Sequence, residues 1–213
     1  MDLSVVILAG GRAKRLGVDK ALIVIKDKPL IGHTFGKIQP LSEDILIVTK
    51  SEKREKKLRQ VIKAPVRFLI DEDPSIESPL IGALTGIKKA KNELVLLIGC
   101  DMPLIKHEVI EKLYKYITGV KALCLAVVPR FPNGYIEPLC AIYNKQATIK
   151  ALERAIAEKS YRMKTFIKYI TANHYFPVGE IKSVDPKLQT FFNVNTREDL
   201  IKLMNILEKE EPV

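Results

Sequence analysis

Tryptophan is absent from the 213-residue sequence, and cysteine and histidine occur only three times each. His33, His107 and His174 are scattered, with no partner at metal-ligand spacing, which argues against a histidine-based metal centre. Cys100, Cys124 and Cys140 are odd in number, far apart and set among apolar residues. They lack zinc-site spacing and read as reduced, buried thiols rather than a disulfide framework. No apolar run approaches the roughly 18 residues that would span a membrane. Residues 1–9 carry neither a basic leader nor a cleavage site, so a cytoplasmic protein is expected. Two familiar phosphate-binding loops are missing as well. Gly17 is followed by Val18, Asp19 and Lys20, with no Ser or Thr after the lysine, and G-x-G-x-x-G spacing does not occur.

What is present is ordinary in bulk and uneven in detail. Hydrophobic residues make up 47% and charged residues 28%, and the formal net charge is +10. Such a balance suits a nucleic acid or a phosphorylated small molecule. The shortage of aromatic stacking platforms argues against the former. Much of the excess lies in KSEKREKKLR (residues 50–59), where acids interleave with bases and Leu58, Val61 and Ile62 supply one apolar edge. That segment reads as a solvated helix face.

The stretch VVILAGGRAKRLGVDKAL (residues 5–22) is the strongest local signal. Its apolar start fits a strand buried on both faces. Gly10 and Gly11 end the strand and let backbone N–H groups approach a ligand. Arg12, Lys14, Arg15 and Lys20 add four cations between residues 12 and 20. Backbone donors with clustered cations make an anion site, and phosphate is the natural anion.

Further strands are expected at 44–49, 66–71, 94–99, 122–128 and 136–143, after a first at 3–9, with helical patterns between most of them. In 106–118, Ile110, Leu113, Tyr114 and Ile117 recur at helical spacing, as do Leu200, Leu203, Met204 and Leu207 near the end. Thr196-Arg197-Glu198-Asp199 is a capping box with aspartate in the acidic position. The alternation predicts an α/β protein, one domain over residues 1–213, whose mostly parallel sheet is covered by helices on both faces. Ligands of such sheets bind at the C-terminal ends of the strands. That edge should gather Gly10-Gly11, Asp71 and Asp101. A carboxylate beside a polyphosphate is repelled unless a divalent cation lies between them, so Asp101 reads as a Mg²⁺ ligand rather than a turn aspartate.

These segments resemble the molybdenum cofactor guanylyltransferases, a family of nucleotidyltransferases. The resemblance rests on LAGGRAKRLGVDKAL, LIDEDPSIESPLIGALTGI, LLIGCDMPLI and FFNVNTREDL, which together run from residue 5 to about 201. It implies a Rossmann-like nucleotidyltransferase fold and the transfer of GMP from GTP to molybdopterin, or molybdenum cofactor, with Mg²⁺. Leu8, Ala9, Gly10 and Gly11 would contact GTP through their backbone, and Arg15 and Lys20 would bind its phosphates. Asp71 would contact the nucleoside, at base or ribose, and Asp101 the Mg²⁺ and the α-phosphate. Gly82 would pass close to the nucleotide, and Asn193 and Asn195 would lie near the pterin. The catalytic set so implied is Arg15, Lys20 and Asp101. Proteins that deliver or accept the cofactor are implied partners.

Two departures bear on base contact: Ser78 stands where the family usually has glycine, and Thr49-Lys50 where it often has asparagine. RFPNGYIEPL (residues 130–139) is either an acceptor-contacting loop or a plain exposed one, and SYRMKTFIKYI (160–170) reads as a packed helix with a modest basic contribution. The alternatives are cytidylyl transfer, another phosphorylated acceptor, or a non-catalytic binding protein on the same fold.

Overall fold

The computed structural model describes residues 1–10, 19–119 and 124–209. In chain order the elements are β1 (Leu3–Leu8), a 3-10 turn at Lys20–Leu22, the short pair β2 (Val24–Ile25) and β3 (Lys28–Pro29), α1 (Leu30–Ile38), β4 (Asp44–Thr49), α2 (Glu52–Val61) and β5 (Arg67–Ile70). They continue with α3 (Pro79–Lys89), β6 (Leu94–Gly99), α4 (His107–Gly119), β7 (Ala126–Arg130), β8 (Cys140–Asn144), α5 (Lys145–Ala157), α6 (Met163–Ile167), β9 (Asn173–Pro177), α7 (Val178–Ile181) and α8 (Arg197–Lys209).

Seven strands form one sheet in the order β5-β4-β1-β6-β8-β7-β9. β8 runs antiparallel to β6 and β7, and every other pairing is parallel. The sheet is therefore mostly parallel, as the alternation of strands and helices predicted. Because side chains alternate across a strand, the apolar runs supply two cores at once. Val5 and Ile7 of β1, with Ile45 and Ile47 of β4, face the layer containing α1 and α4. Val6, Leu46 and Val48 face the opposite layer, built on α3, α5 and α6. A run that is apolar at every position is thus fully used.

The sequence reading differs from the structure at the far edge of the sheet. The strand expected at 136–143 starts only at Cys140. Pro138 has no N–H to give a ladder, and Ile136 makes just an isolated bridge to Arg130. Of the strand expected at 122–128, residues 122–123 lie outside the described set and β7 runs from Ala126. β9 escaped the pattern because its sequence, NHYFP, is an edge strand with one buried side chain, Phe176. In α2 only Leu58 is buried, and Val61 is exposed rather than part of the packed edge. Cys100 and Cys140 are buried free thiols, whereas Cys124 is only half-buried.

The last helix is fixed as its sequence predicts. Asp199 Oδ2 accepts from the backbone N–H groups of Thr196 and Asn195, each at 2.9 Å, and the Asp199 N–H donates to Thr196 Oγ1 at 3.2 Å. Leu203 then packs with Val194, Leu104, Leu30 and Ile25 in a third cluster. The capping box has a consequence beyond the helix: it anchors the segment that carries Asn193 and Asn195.

Candidate functional site

β5, β4, β1 and β6 are parallel neighbours, so the residues just past their C-terminal ends emerge side by side: Asp71, Lys50, Ala9-Gly10 and Asp101. The ladder extends past the strands at this edge. The Ala9 N–H donates to Val48 O at 2.8 Å, the Asp71 N–H to Thr49 O at 2.9 Å and the Cys100 N–H to Leu8 O at 3.2 Å. These bonds fix the backbone from which the site is built.

One group of residues meets at the β6 end. Lys20 is buried, and its ammonium donates to Asp101 Oδ2 at 2.5 Å and to Asn195 Oδ1 at 2.7 Å. Residues from three distant parts of the sequence thus share one charge. The Val194 N–H also donates to Asp101 O at 3.0 Å, which ties the Asn193–Asn195 segment directly to the end of β6. Gly99 explains how the carboxylate is seated. A Cβ at that position would lie 2.3 Å from Asp101 Oδ1, so any side chain there would displace the acid.

Asn193 belongs to an adjoining group. Its Nδ2 donates to Glu137 Oε2 at 3.3 Å, and Glu137 also accepts from the Tyr135 hydroxyl at 3.2 Å and the Leu139 N–H at 3.1 Å. Glu137 is buried. Burial pushes its carboxyl above the ordinary range, opposed by those three donors and assisted by the nearby Asp101 charge. The 130–139 segment is therefore no plain exposed loop, because it seats a buried acid against the asparagine motif.

The other side of the edge is a cleft of about 620 Å³, lined among others by Leu8, Gly10, Lys50, Asp71, Ser78 and Gly82. Asp71 is buried and paired with Lys50 at 2.9 Å. Burial raises its pKa, and Lys50 only partly offsets this. Gly82 lies against the same acid: a Cβ there would stand 3.0 Å from Asp71 Oδ1 and 3.3 Å from a Leu8 methyl. Ser78, where a glycine was expected, caps α3 by accepting from the Leu80 N–H at 3.1 Å and donates to Tyr161 O at 3.0 Å.

Arg54 departs from the solvated helix face that its charge run predicts. It lies in the first turn of α2, donates to Gly10 O at 2.8 Å and pairs with Asp19 at 2.6 Å, and so braces both ends of the glycine loop. The signal available in the sequence is its place, three residues past a serine N-cap at a strand end. Lys50, from the same charge run, also turns inward. Gly11 and Arg15 lie outside the described residues. The structure thus brings together Lys20, Asp101 and Asn195, and separately Leu8, Gly10, Asp71 and Gly82, with Ala9 beneath them in the core and Asn193 beside Glu137.

Among the described residues no cluster of three or more His, Cys, Asp or Glu is placed to hold a metal by protein ligands alone. Mg²⁺ asks for less, since one or two carboxylates suffice when substrate phosphates and water complete its shell. Asp101 meets that need: Oδ1 accepts no hydrogen bond from a described residue and the side chain is 21% exposed. The thiols offer no alternative chemistry. Burial drives Cys100 up to about 12 and Cys140 well above its usual value.

Comparison with known proteins agrees with this fold. Residues 5–174 match the model of the MobA-like NTP transferase domain. A protein of Pyrococcus horikoshii named "Probable molybdenum cofactor guanylyltransferase" is 34% identical, over 94% of this chain and 98% of its own. One of the same name from Methanothermobacter thermautotrophicus is 32% identical, over 92% and 96%. The crystal structure of molybdopterin-guanine dinucleotide biosynthesis protein A from Archaeoglobus fulgidus superposes with a TM-score of 0.82 at 30% identity, covering 97% of this chain and 99% of that one. The family model spans residues 5–174 and the relatives match over most of their length, so the chain belongs to the MobA-like NTP transferase domain family, a nucleotidyltransferase.

Proposed function

We propose that the protein, as a single domain over residues 1–213, transfers GMP from GTP to the terminal phosphate of molybdopterin and releases pyrophosphate. The observation that carries the reading is the Lys20–Asp101–Asn195 contact. It sets a cation and an oriented carboxylate at the C-terminal edge of the sheet and ties them to the asparagine segment. The names of the relatives supply the substrates.

The attacking phosphate is already largely ionised at neutral pH, with a second pKa of about 6. No strong general base is therefore required, and the task is alignment and charge neutralisation. Gly10 leaves backbone beside the cleft for the nucleotide. Lys20 offers a compact positive charge where phosphate oxygens arrive. Arg15, in the same loop sequence, adds a second cation. Asn195 orients Lys20, and Asn193 with Glu137 borders the acceptor. Mg²⁺, when bound at Asp101, would supply further positive charge against the α-phosphate. No described helix is long and apolar enough to cross a membrane, and a cytoplasmic enzyme working with cofactor-delivering or accepting proteins fits this role.

The test is a panel of GTP, ATP and CTP with molybdopterin, followed by pyrophosphate release across a Mg²⁺ series. GTP is expected to bind at least tenfold better than CTP or ATP, about 1.4 kcal/mol. Equal use of CTP would transfer the assignment to cytidylyl transfer.

A further inference from the structure

Lys50 stands between Asp71 and the open cleft. Its ammonium pairs with Asp71 at 2.9 Å and donates to Ile76 O at 2.6 Å. An ammonium has three donors and no acceptor, so one N–H is left without a partner among the described residues. The side chain of Lys50 is 21% exposed, whereas that of Asp71 is 3% exposed. The lysine stem also runs over Gly10, where a Cβ would be 3.2 Å from Lys50 Cγ. The residue is thus fixed at both ends: its stem packs on the nucleotide loop and its charge is held by two acceptors.

Strand spacing shows which part of a nucleotide Lys50 faces. The order β5-β4-β1-β6 puts Lys50 two strands from Asp101, at about 4.8 Å per strand, or roughly 10 Å. Phosphoryl chemistry at Asp101 leaves the nucleoside to extend toward β4 and β5, where the cleft lies. We propose that Lys50, oriented by Asp71 and the Ile76 carbonyl, is a specificity-determining donor that reads the 6-keto oxygen of a purine. Guanine places an acceptor at that position, whereas adenine places an amino donor there. An ammonium meets the first with a hydrogen bond and opposes the second. Asp71 acts through Lys50 as a positioning residue: it neutralises the ammonium and aims its remaining N–H. This assignment rests on the cleft being the nucleoside site of the function proposed above.

The experiment measures binding of GTP, ITP, ATP and 2-aminopurine riboside triphosphate, which keeps the 2-amino group of guanine and lacks the 6-keto oxygen. The parent should prefer GTP and ITP over the 2-aminopurine analogue by at least about tenfold, the value of one charged hydrogen bond. Lys50→Met should weaken GTP by about that factor, change the analogue less than about twofold, and so collapse the ratio. Asp71→Asn should lower the ratio partway. Because Lys50→Met leaves a buried carboxylate without its cation, the Lys50→Met/Asp71→Asn pair removes both charges, and its thermal melt reports folding. The ratio should collapse in the pair as well. A GTP-to-analogue ratio that survives in a folded variant overturns the role of Lys50 while leaving the nucleotide site in place. A parent that binds none of the four overturns the site itself, and this inference with it.

Discussion

Asp44 and Asp71 are both buried carboxylates next to a cation, and they lie at opposite ends of the sheet. Asp44 opens β4. Its Oδ2 accepts from Ser4 Oγ at 2.6 Å and the Lys91 N–H at 2.8 Å, and its Oδ1 accepts from Arg67 at 2.6 Å. Ser4 Oγ in turn accepts from the Asn92 N–H at 2.9 Å. Burial alone would raise the Asp44 pKa, but Ser4, Lys91 and Arg67 outweigh it and hold the carboxyl below its ordinary value. Asp71, after β5, has the Lys50 ammonium and the more distant Arg54 charge, and burial prevails over both. The contrast separates an acid whose two oxygens are both met within the fold from one whose Oδ1 accepts no hydrogen bond from a described residue. Polar capacity left unused at the C-terminal edge is what the function proposed above asks of the working end of the sheet.

The sharpest way to exploit that difference is to remove charge at the working end. Asp101→Asn keeps size and one oxygen and should fold normally. Transfer to molybdopterin should fall by at least about a hundredfold, the scale of losing a main electrostatic contributor, with part of the rate regained at high Mg²⁺. A variant matching the parent at low Mg²⁺ would reduce Asp101 to a partner of Lys20. Lys20→Ala comes next: a charge-assisted hydrogen bond is worth about 1.5–3 kcal/mol, so GTP binding and transfer should weaken together by about ten- to a hundredfold. Turnover at the parent rate would show that the 2.5 Å contact to Asp101 only stabilises the loop.

Much of this end is legible in the amino-acid sequence. Strands apolar at every position can be buried only between two helical layers, which determines the class of sheet and the edge along which Gly10, Asp71 and Asp101 emerge. Thr196 to Asp199 announce their own capping geometry. The inward turn of Lys50 and Arg54 is not legible in their charge run, because alternating charges have no periodicity to show which members turn inward, although the place of each at a strand end sets it apart. Their roles depend on which loops the neighbouring strands carry, a property of topology. The segment holding Glu137 stands out in the sequence, but its burial does not: its partners Tyr135 and Asn193 come from the adjoining tight turn and from a segment 56 residues away. Gly99 reads simply as strand, although the seating of Asp101 depends on its missing side chain.

At the structural end, Asp44→Asn should cost stability and leave chemistry alone. An asparagine has one acceptor oxygen, so its amide donor must face either Arg67 or the Ser4 and Lys91 donors. The expected loss is about 1–3 kcal/mol, at about 2–4 °C in Tm per kcal/mol for a chain of this size. Its pH dependence follows from the lowered pKa. The stability contributed by Asp44 is fully present above its unfolded value and is lost as pH falls through the lower folded value. The parent and variant melts should therefore converge in strong acid. An unchanged Tm at neutral pH would mean that the paired network at this end is incidental.

The smallest effect, and the one with the opposite sign, belongs to Asp71→Asn. Asn can keep its oxygen on Lys50 and put its amide where Oδ1 now accepts no hydrogen bond from a described residue. The charge it removes is one that burial disfavours. With the folded pKa above the unfolded value, the native state holds the proton more tightly than the unfolded chain. Stability then falls as pH rises through the interval between the two values, and the cost persists at neutral pH. Removing the charge should therefore leave the fold as stable as the parent or slightly more so at pH 7, by less than about 1 kcal/mol. Below both pKa values that gain should vanish. Thermal melts of the two aspartate variants, run in parallel from pH 3 to pH 7, would bring out the contrast: Asp44→Asn falling increasingly below the parent as pH rises, Asp71→Asn level with it or above. A loss for Asp71→Asn as large as that for Asp44→Asn would make the Lys50 pair a structural one, and the two ends of the sheet would no longer differ in kind.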